Sequence, residues 1–177
     1  IFGQAIIIML IQIGGLGVIT FAASLAMLSG RKISLMQRST MQNAISAPDV
    51  GGIVRLTRFI LLGTIIIETA GALLMMPAFC KDFGLKGIWY SFFHSISAFC
   101  NAGFDVLGTE SNKFASFTDY AANPFVNITV MLLITIGGIG FLTWDDICTK
   151  RFHIKRYRMQ SKVVLVTSAL LVFIPAI

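Results

Sequence analysis

Charge is what this sequence lacks most. Residues 2–28 carry none, residues 124–144 carry none, and between Phe59 and Cys80 the single charged side chain is Glu68. Charged residues make up 12% of the chain against 56% hydrophobic, with a mean hydropathy of +0.83, which excludes an ordinary soluble domain. Each uncharged run is about 20 residues or longer, enough at about 1.5 Å per residue to cross a hydrocarbon core of roughly 30 Å. A fourth apolar run, Val163–Ile177, continues to the last residue. The chain therefore reads as an all-α integral membrane protein.

Cysteine is also scarce. Cys80, Cys100 and Cys148 show no paired spacing, which excludes a disulfide framework or a cysteine metal site. Enzyme chemistry is equally thin. Intramembrane hydrolysis needs two converging aspartates or a Ser/His pair, and Asp145 and Asp146 are neighbours that point apart on a helix. His94 lies three residues from both Ser91 and Ser97 on one short predicted helix, a spacing that arises readily by chance. The chain reads as a non-enzyme that needs no cofactor. Its ends show neither a basic start nor a small-residue cleavage site, and both fall inside apolar runs, so it is read as an internal piece of a longer protein.

The charges that do occur are clustered. Residues 29–58 hold Arg31, Lys32, Arg38, Arg55 and Arg58 against Asp49, and residues 145–162 hold Lys150, Arg151, Lys155, Arg156, Arg158 and Lys162 against Asp145 and Asp146. Residues 81–123 balance Lys81, Lys86 and Lys113 with Asp82, Asp105, Glu110 and Asp119. Lys and Arg collect on the cytoplasmic side of a cell membrane, so loops 29–58 and 145–162 are placed inside and 81–123 outside. The net charge of +6 is thus a topology signal, and nucleic acid is not an expected partner.

Two basic loops on one side require an even number of crossings between them. Phe59–Cys80 and Pro124–Trp144 supply two, so the uncharged stretch from Gly87 to Phe104 must enter and leave by the outer face. It has room for a helix over about Lys86–Phe99, roughly 21 Å long, and an extended return. Backbone of that kind at membrane depth needs protein or a water-filled cavity around it. The expectation is a re-entrant pore loop.

The spans themselves repeat. "IQIGGLGVITFA" (11–22) aligns without gaps on "ITIGGIGFLTWD" (134–145), sharing Ile11/Ile134, Ile13/Ile136, Gly14/Gly137, Gly15/Gly138, Gly17/Gly140 and Thr20/Thr143, with Leu16/Ile139 conservative. Repetition of membrane segments is a recurrent design in transporters. It divides the chain into the last helix of a preceding repeat (1–28), a cytoplasmic linker (29–52), a complete helix–pore loop–helix repeat (53–148), a second cytoplasmic linker (149–162) and the truncated first helix of the next repeat (163–177). Two readings fit the repeated glycines: close helix approach, or a bend beside the loop.

Within the loop, "NAGFD" (101–105) places glycine third and an aromatic fourth, as in the TVGYG filter whose backbone carbonyls replace the hydration shell of potassium. Such a strand needs dihedrals that glycine adopts cheaply, and the preceding helix would aim its negative end at the ion. Cys100, Asn101, Ala102, Gly103 and Phe104 are the candidate ion-binding residues.

"FHSISAFCNAGFD" (93–105) together with the two glycine-rich helices resembles the Trk/Ktr/HKT superfamily of potassium transporters, most of all its Ktr-type membrane subunit, over essentially the whole chain. The resemblance implies four non-identical repeats around one potassium-channel-like pore, each giving one filter strand with a central glycine, here Gly103. It also implies potassium as the transported ion, sodium dependence in some members, a homodimer, and cytoplasmic nucleotide-binding regulatory subunits. One strand of four is present, so the other repeats of the full-length chain, and membrane lipid, are necessary partners.

Remaining residues keep two readings each. Glu68 at mid-span reads first as hydrogen-bonded packing against a neighbouring helix and second as ion coordination. His94 reads as a packed, satisfied ring before any metal role. Asp105, Glu110 and Asp119 either attract cations to the outer mouth or are simply solvated. The alternative to transport is a structural or receptor-like membrane module, and ion flux through the intact protein separates the two.

Overall fold

The computed structural model describes residues 2–17, 21, 39, 42–43, 53–108, 115–151 and 153–174. Most of the linker 29–52, with Arg31, Lys32, Arg38 and Asp49, lies outside the described residues, as do Glu110 and Lys113. Every regular element among the described residues is helical: α1 (Phe2–Leu16), α2 (Ile53–Phe83), α3 (Lys86–Phe99), α4 (Pro124–Gly138), α5 (Phe141–Lys150) and α6 (Met159–Phe173), with short 3₁₀ turns at Thr118–Tyr120 and Ile154–Arg156.

At 31 residues α2 is the long apolar helix, roughly 46 Å at the standard rise. Its burial pattern differs from that of a soluble helix. Leu62, Ile65, Ile66, Leu73 and Leu74 are exposed, whereas Thr64, Glu68, Gly71 and Ala72 face inward with Ile60, Met75 and Phe79. Large apolar side chains outside, with polar Thr64 and Glu68 and small Gly71 and Ala72 among the inward residues, suit a lipid surround, where polar groups find their partners within the protein. Pro77 sits inside this helix, which membrane helices tolerate when neighbours serve the freed carbonyl.

A two-residue turn, Gly84–Leu85, reverses the chain into α3. Gly84 adopts φ +58, and its N–H closes on the Cys80 carbonyl at 3.0 Å. At Gly87 an added Cβ would stand 2.4 Å from the Phe79 carbonyl group, so the two helices touch backbone to backbone at the hairpin. Phe79 anchors the hairpin end of the core: its ring packs on His94 at 5.2 Å and edge-on to Tyr120 at 4.9 Å. Tyr120 donates to Asp82 Oδ2 at 2.7 Å, and burial together with that bond pushes its phenol above the usual range. Asn123 then caps α4, accepting from Phe125 N at 3.1 Å and Val126 N at 3.4 Å, with Pro124 at the first helical position.

The run expected as the second crossing is bent, which is one of the two readings of its glycines. The run Pro124–Trp144 is not a single straight span: α4 ends at Gly138, and α5 leaves at 96° to it. The cause is local. Gly140 takes φ +82 and ψ 150, outside helical space and open to glycine. The Trp144 indole then donates to the Ile136 carbonyl at 2.9 Å, serving a carbonyl near the helix end. Its repeat counterpart behaves alike: α1 stops at Leu16 and Gly17 takes φ +81. The repeated glycine therefore takes a positive φ in both copies, and at Gly140 it accompanies the 96° bend.

Candidate functional site

The five candidate residues sit where α3 ends. Asn101 N–H donates to Ala98 O at 3.0 Å and Ala102 N–H to Ser97 O at 2.8 Å. This pair of 5→2 and 6→1 bonds is a Schellman motif, with Asn101 as its left-handed residue at φ 54. Asparagine tolerates that conformation better than other side-chain-bearing residues, which is why α3 stops at Phe99. Two residues on, Gly103 turns left-handed again at φ +72.

Beyond the corner the backbone runs back beside the helix it has just left. Ser97 Oγ donates to Phe104 O at 2.7 Å, and Val106 N–H donates to His94 Nε2 at 3.4 Å. His94 Nδ1 lies 2.7 Å from Tyr90 O, so the neutral ring protonated on Nδ1 satisfies both contacts. Phe79, Phe93 and Phe117 enclose that ring, the last at 4.9 Å. The packed, satisfied histidine is what the structure contains, and its second nitrogen braces the return. Asp105 is exposed and accepts from Leu107 N at 3.1 Å. A cavity of about 270 Å³ lies behind the loop, lined in part by His94, Ser97, Asn101, Gly103 and Asp105.

The candidates divide by what their carbonyls do. That of Phe104 is held by Ser97, whereas among the described residues no donor reaches those of Cys100, Asn101, Ala102 or Gly103. Asn101, Gly103 and Phe104 are exposed, and Cys100 and Ala102 are half-buried.

Two glycine-rich helices hold the corner. At Gly137 on α4 an added Cβ would stand 1.9 Å from Phe99 O, and at Gly15 on α1 it would stand 2.3 Å from Cys100 Sγ. Their repeat partners are looser: Gly14 meets nothing within 4 Å, and Gly138 meets only Asn101 Nδ2 at 3.9 Å. A third close approach is at Gly71 on α2, where a Cβ would lie 2.6 Å from Ser95 Oγ and 2.7 Å from Leu133 Cδ1. Close approach and bending are thus shared out among different glycines.

Glu68 is 6% exposed. Gln12 Nε2 of α1 donates to its Oε2 at 3.2 Å, and Cys100 Sγ lies 4.0 Å from its Oε1. This is hydrogen-bonded packing against a neighbouring helix, one step behind the corner, with Ser95 Oγ donating to the Glu68 backbone carbonyl at 2.6 Å. The hydrolytic pairings find other uses: Ser91 donates to Gly87 O, and Asp146 accepts from Lys150, Ser161 and the Arg158 backbone. Among the described residues no group of three or more His, Cys, Asp or Glu could hold a metal ion.

Ser95, Ser97 and Gln12 escaped the sequence reading as supporting residues. Their signal was polarity inside charge-free helices, where a hydroxyl or amide must find a partner within the protein.

Residues 1–174 match the family model described as TrkH, cation transport protein. The chain is 37% identical over 171 residues to the potassium/sodium uptake protein NtpJ of Enterococcus hirae, covering 96% of this chain and 36% of that protein. It is 36% identical over 172 residues to the Ktr system potassium uptake protein B of Bacillus subtilis, covering 97% and 37%. Against the protein of the same name from Vibrio alginolyticus it is 31% identical over 176 residues, covering 97% and 37%. The chain therefore spans little more than a third of the length of these relatives.

Proposed function

The chain belongs to the TrkH family of cation transport proteins, and on that premise we propose that it supplies one strand of the filter through which a longer membrane protein takes up potassium. The observation that carries this is the corner after α3: a left-handed Asn101, a left-handed Gly103 and four carbonyls with no donor among the described residues. Carbonyls left unserved at membrane depth are costly unless something else supplies the positive charge, and a dehydrated monovalent cation does so. Cys100, Asn101, Ala102 and Gly103 are the ion-facing backbone. Phe104 ends the strand, because its carbonyl is tied to Ser97.

In this reading residues 53–148 are one helix–re-entrant loop–helix repeat, 1–28 closes the repeat before it, and 163–177 opens the next. The linkers 29–52 and 149–162 are cytoplasmic, and 81–123 faces outward. Three further repeats of the full-length chain complete the ring, so this segment alone makes no pore. The relatives are named for potassium uptake, one of them for sodium as well, and potassium with a sodium dependence is the corresponding activity here. A homodimer gated by a cytoplasmic nucleotide-binding subunit is the assembly the family likeness favours.

The test is uptake by the full-length protein in a bacterium lacking its own potassium uptake systems. Restored growth at micromolar potassium, with saturable potassium entry, is the expected result. Normal abundance in the membrane without potassium entry would refute the reading.

A further inference from the structure

We propose that the turn between α5 and α6 holds the phosphate of an anionic phospholipid headgroup. A cavity of about 320 Å³ opens there, lined by Thr149, Lys150, Arg151, His153 and Arg156. Its side chains are one hydroxyl, one imidazole and three cations, with no carboxylate. The nearby acids are already committed. Asp146 pairs with Lys150 at 2.7 Å and Asp145 with Arg158 at 3.1 Å. Among the described residues, Arg151 and Arg156 have no carboxylate partner within salt-bridge reach.

The described residues of the turn are tied by hydrogen bonds. Arg151 ends α5 in a left-handed conformation at φ 48, and its carbonyl accepts from the hydroxyl of buried Tyr157. The backbone closes through His153 N to Lys150 O at 3.1 Å and Arg156 N to His153 O at 2.9 Å. Asp146 fixes the start of α6 through Arg158 N at 2.8 Å and Ser161 Oγ at 2.7 Å. The cations are thus mounted on a fixed frame, as a phosphate site requires.

A basic lining alone would suit any phosphate. What favours a lipid is the apolar character of the flanking sequence: Ile147 before the turn, Ile154 in it, and Met159 and Val163 after it are all exposed. A soluble anion has no use for them, whereas a phospholipid lays its glycerol and acyl chains along such residues. Basic pockets at the cytoplasmic ends of membrane helices take anionic headgroups by this chemistry. Assignment to the inner leaflet rests on the topology proposed above.

The test uses the full-length protein in mild detergent, with native mass spectrometry reading retained phosphatidylglycerol or phosphatidylcholine. The parent should retain phosphatidylglycerol in preference, and Arg151→Gln with Arg156→Gln should weaken its retention about fivefold per arginine. Lys155→Gln, in the same turn as Arg156 but outside the cavity lining, should change it little. Equal retention of the two lipids, or equal losses in the control and the double variant, would overturn the proposal. Displacement by millimolar glycerol phosphate would also overturn it, assigning the cavity to a soluble anion. Retention is read without ion flux, so failure here leaves the potassium reading standing.

Discussion

Two adjacent glycines on α4 should differ sharply when a methyl group is added. At Gly137 the new Cβ would stand 1.9 Å from Phe99 O and 2.9 Å from its carbonyl carbon, about 1.4 Å short of the roughly 3.3 Å at which carbon and a carbonyl oxygen normally touch. Both obstacles are backbone, so no rotamer change relieves them. Either α4 moves away or the last turn of α3 gives way. Overpacking of this kind costs about 1–3 kcal/mol, and a rigid backbone clash belongs at or above the top of that range. The displaced atoms belong to Phe99, the residue before the proposed filter strand. Gly137→Ala should therefore lower thermal stability in detergent and also depress potassium uptake per molecule in the membrane. Gly138→Ala, whose nearest obstacle is Asn101 Nδ2 at 3.9 Å, should resemble the parent in both. A Gly137→Ala protein with parental melting and uptake, or a Gly138→Ala protein as damaged as its neighbour, would refute the packing described for this corner.

Glu68→Gln should keep the contact with Gln12 and change potassium-to-sodium preference little, whereas Glu68→Leu should cost about 1–3 kcal/mol by leaving Gln12 unpaired; an altered ion preference in Glu68→Gln, measured by paired uptake, would instead make Glu68 an ion ligand. Ser97→Ala frees the Phe104 carbonyl and should cost about 1 kcal/mol, with His94→Phe costing more because Tyr90 O and Val106 N–H both lose a partner; unchanged melting in both variants would show that the return is not braced by α3. With Cys80 and Cys148 replaced by serine, a cysteine at Ser116 should react with an impermeant thiol reagent added outside and one at Lys155 should not, and the opposite sidedness would remove the re-entrant topology.

Some of this was legible in the sequence and some was not, for identifiable reasons. The bounds of α3 could be read because Lys86 closes the uncharged stretch at one end and the small polar residues after Phe99 close it at the other. The bend at Gly140 could not, because hydropathy is blind to φ: "ITIGGIGFLTW" is as apolar broken as straight, and only the positive φ of Gly140 separates the two. The repeat with residues 11–22 did mark those glycines as special. It could not say which approach a neighbour and which bend, since that depends on the rotational phase of each helix against α3. Gly71 shows the same limit: nothing in "ETAGALL" announces that Ser95 and Leu133 crowd it. Asn101 reads as a filter candidate in sequence, and the structure makes it the left-handed residue that ends α3, a use that local pattern does not announce. The proposed filter would be completed by repeats beyond this segment, so the proposal rests on the family and on the free carbonyls together.

The central claim rests on Gly103. At φ +72 with nothing within 4 Å of an added Cβ, a side chain there meets no obstacle in this segment but must hold a conformation costing about 1–2 kcal/mol for an L-residue. A bias of about 1.4 kcal/mol is tenfold in an equilibrium, enough to distort one strand's carbonyls without unfolding the protein. Gly103→Ser and the exposed-helix control Gly3→Ser, made in the full-length protein, should be compared by potassium and sodium uptake normalised to protein in the membrane. The account predicts that Gly103→Ser reaches the membrane normally and loses preference for potassium over sodium, while Gly3→Ser keeps the parental ratio. A parental ratio in Gly103→Ser would contradict it.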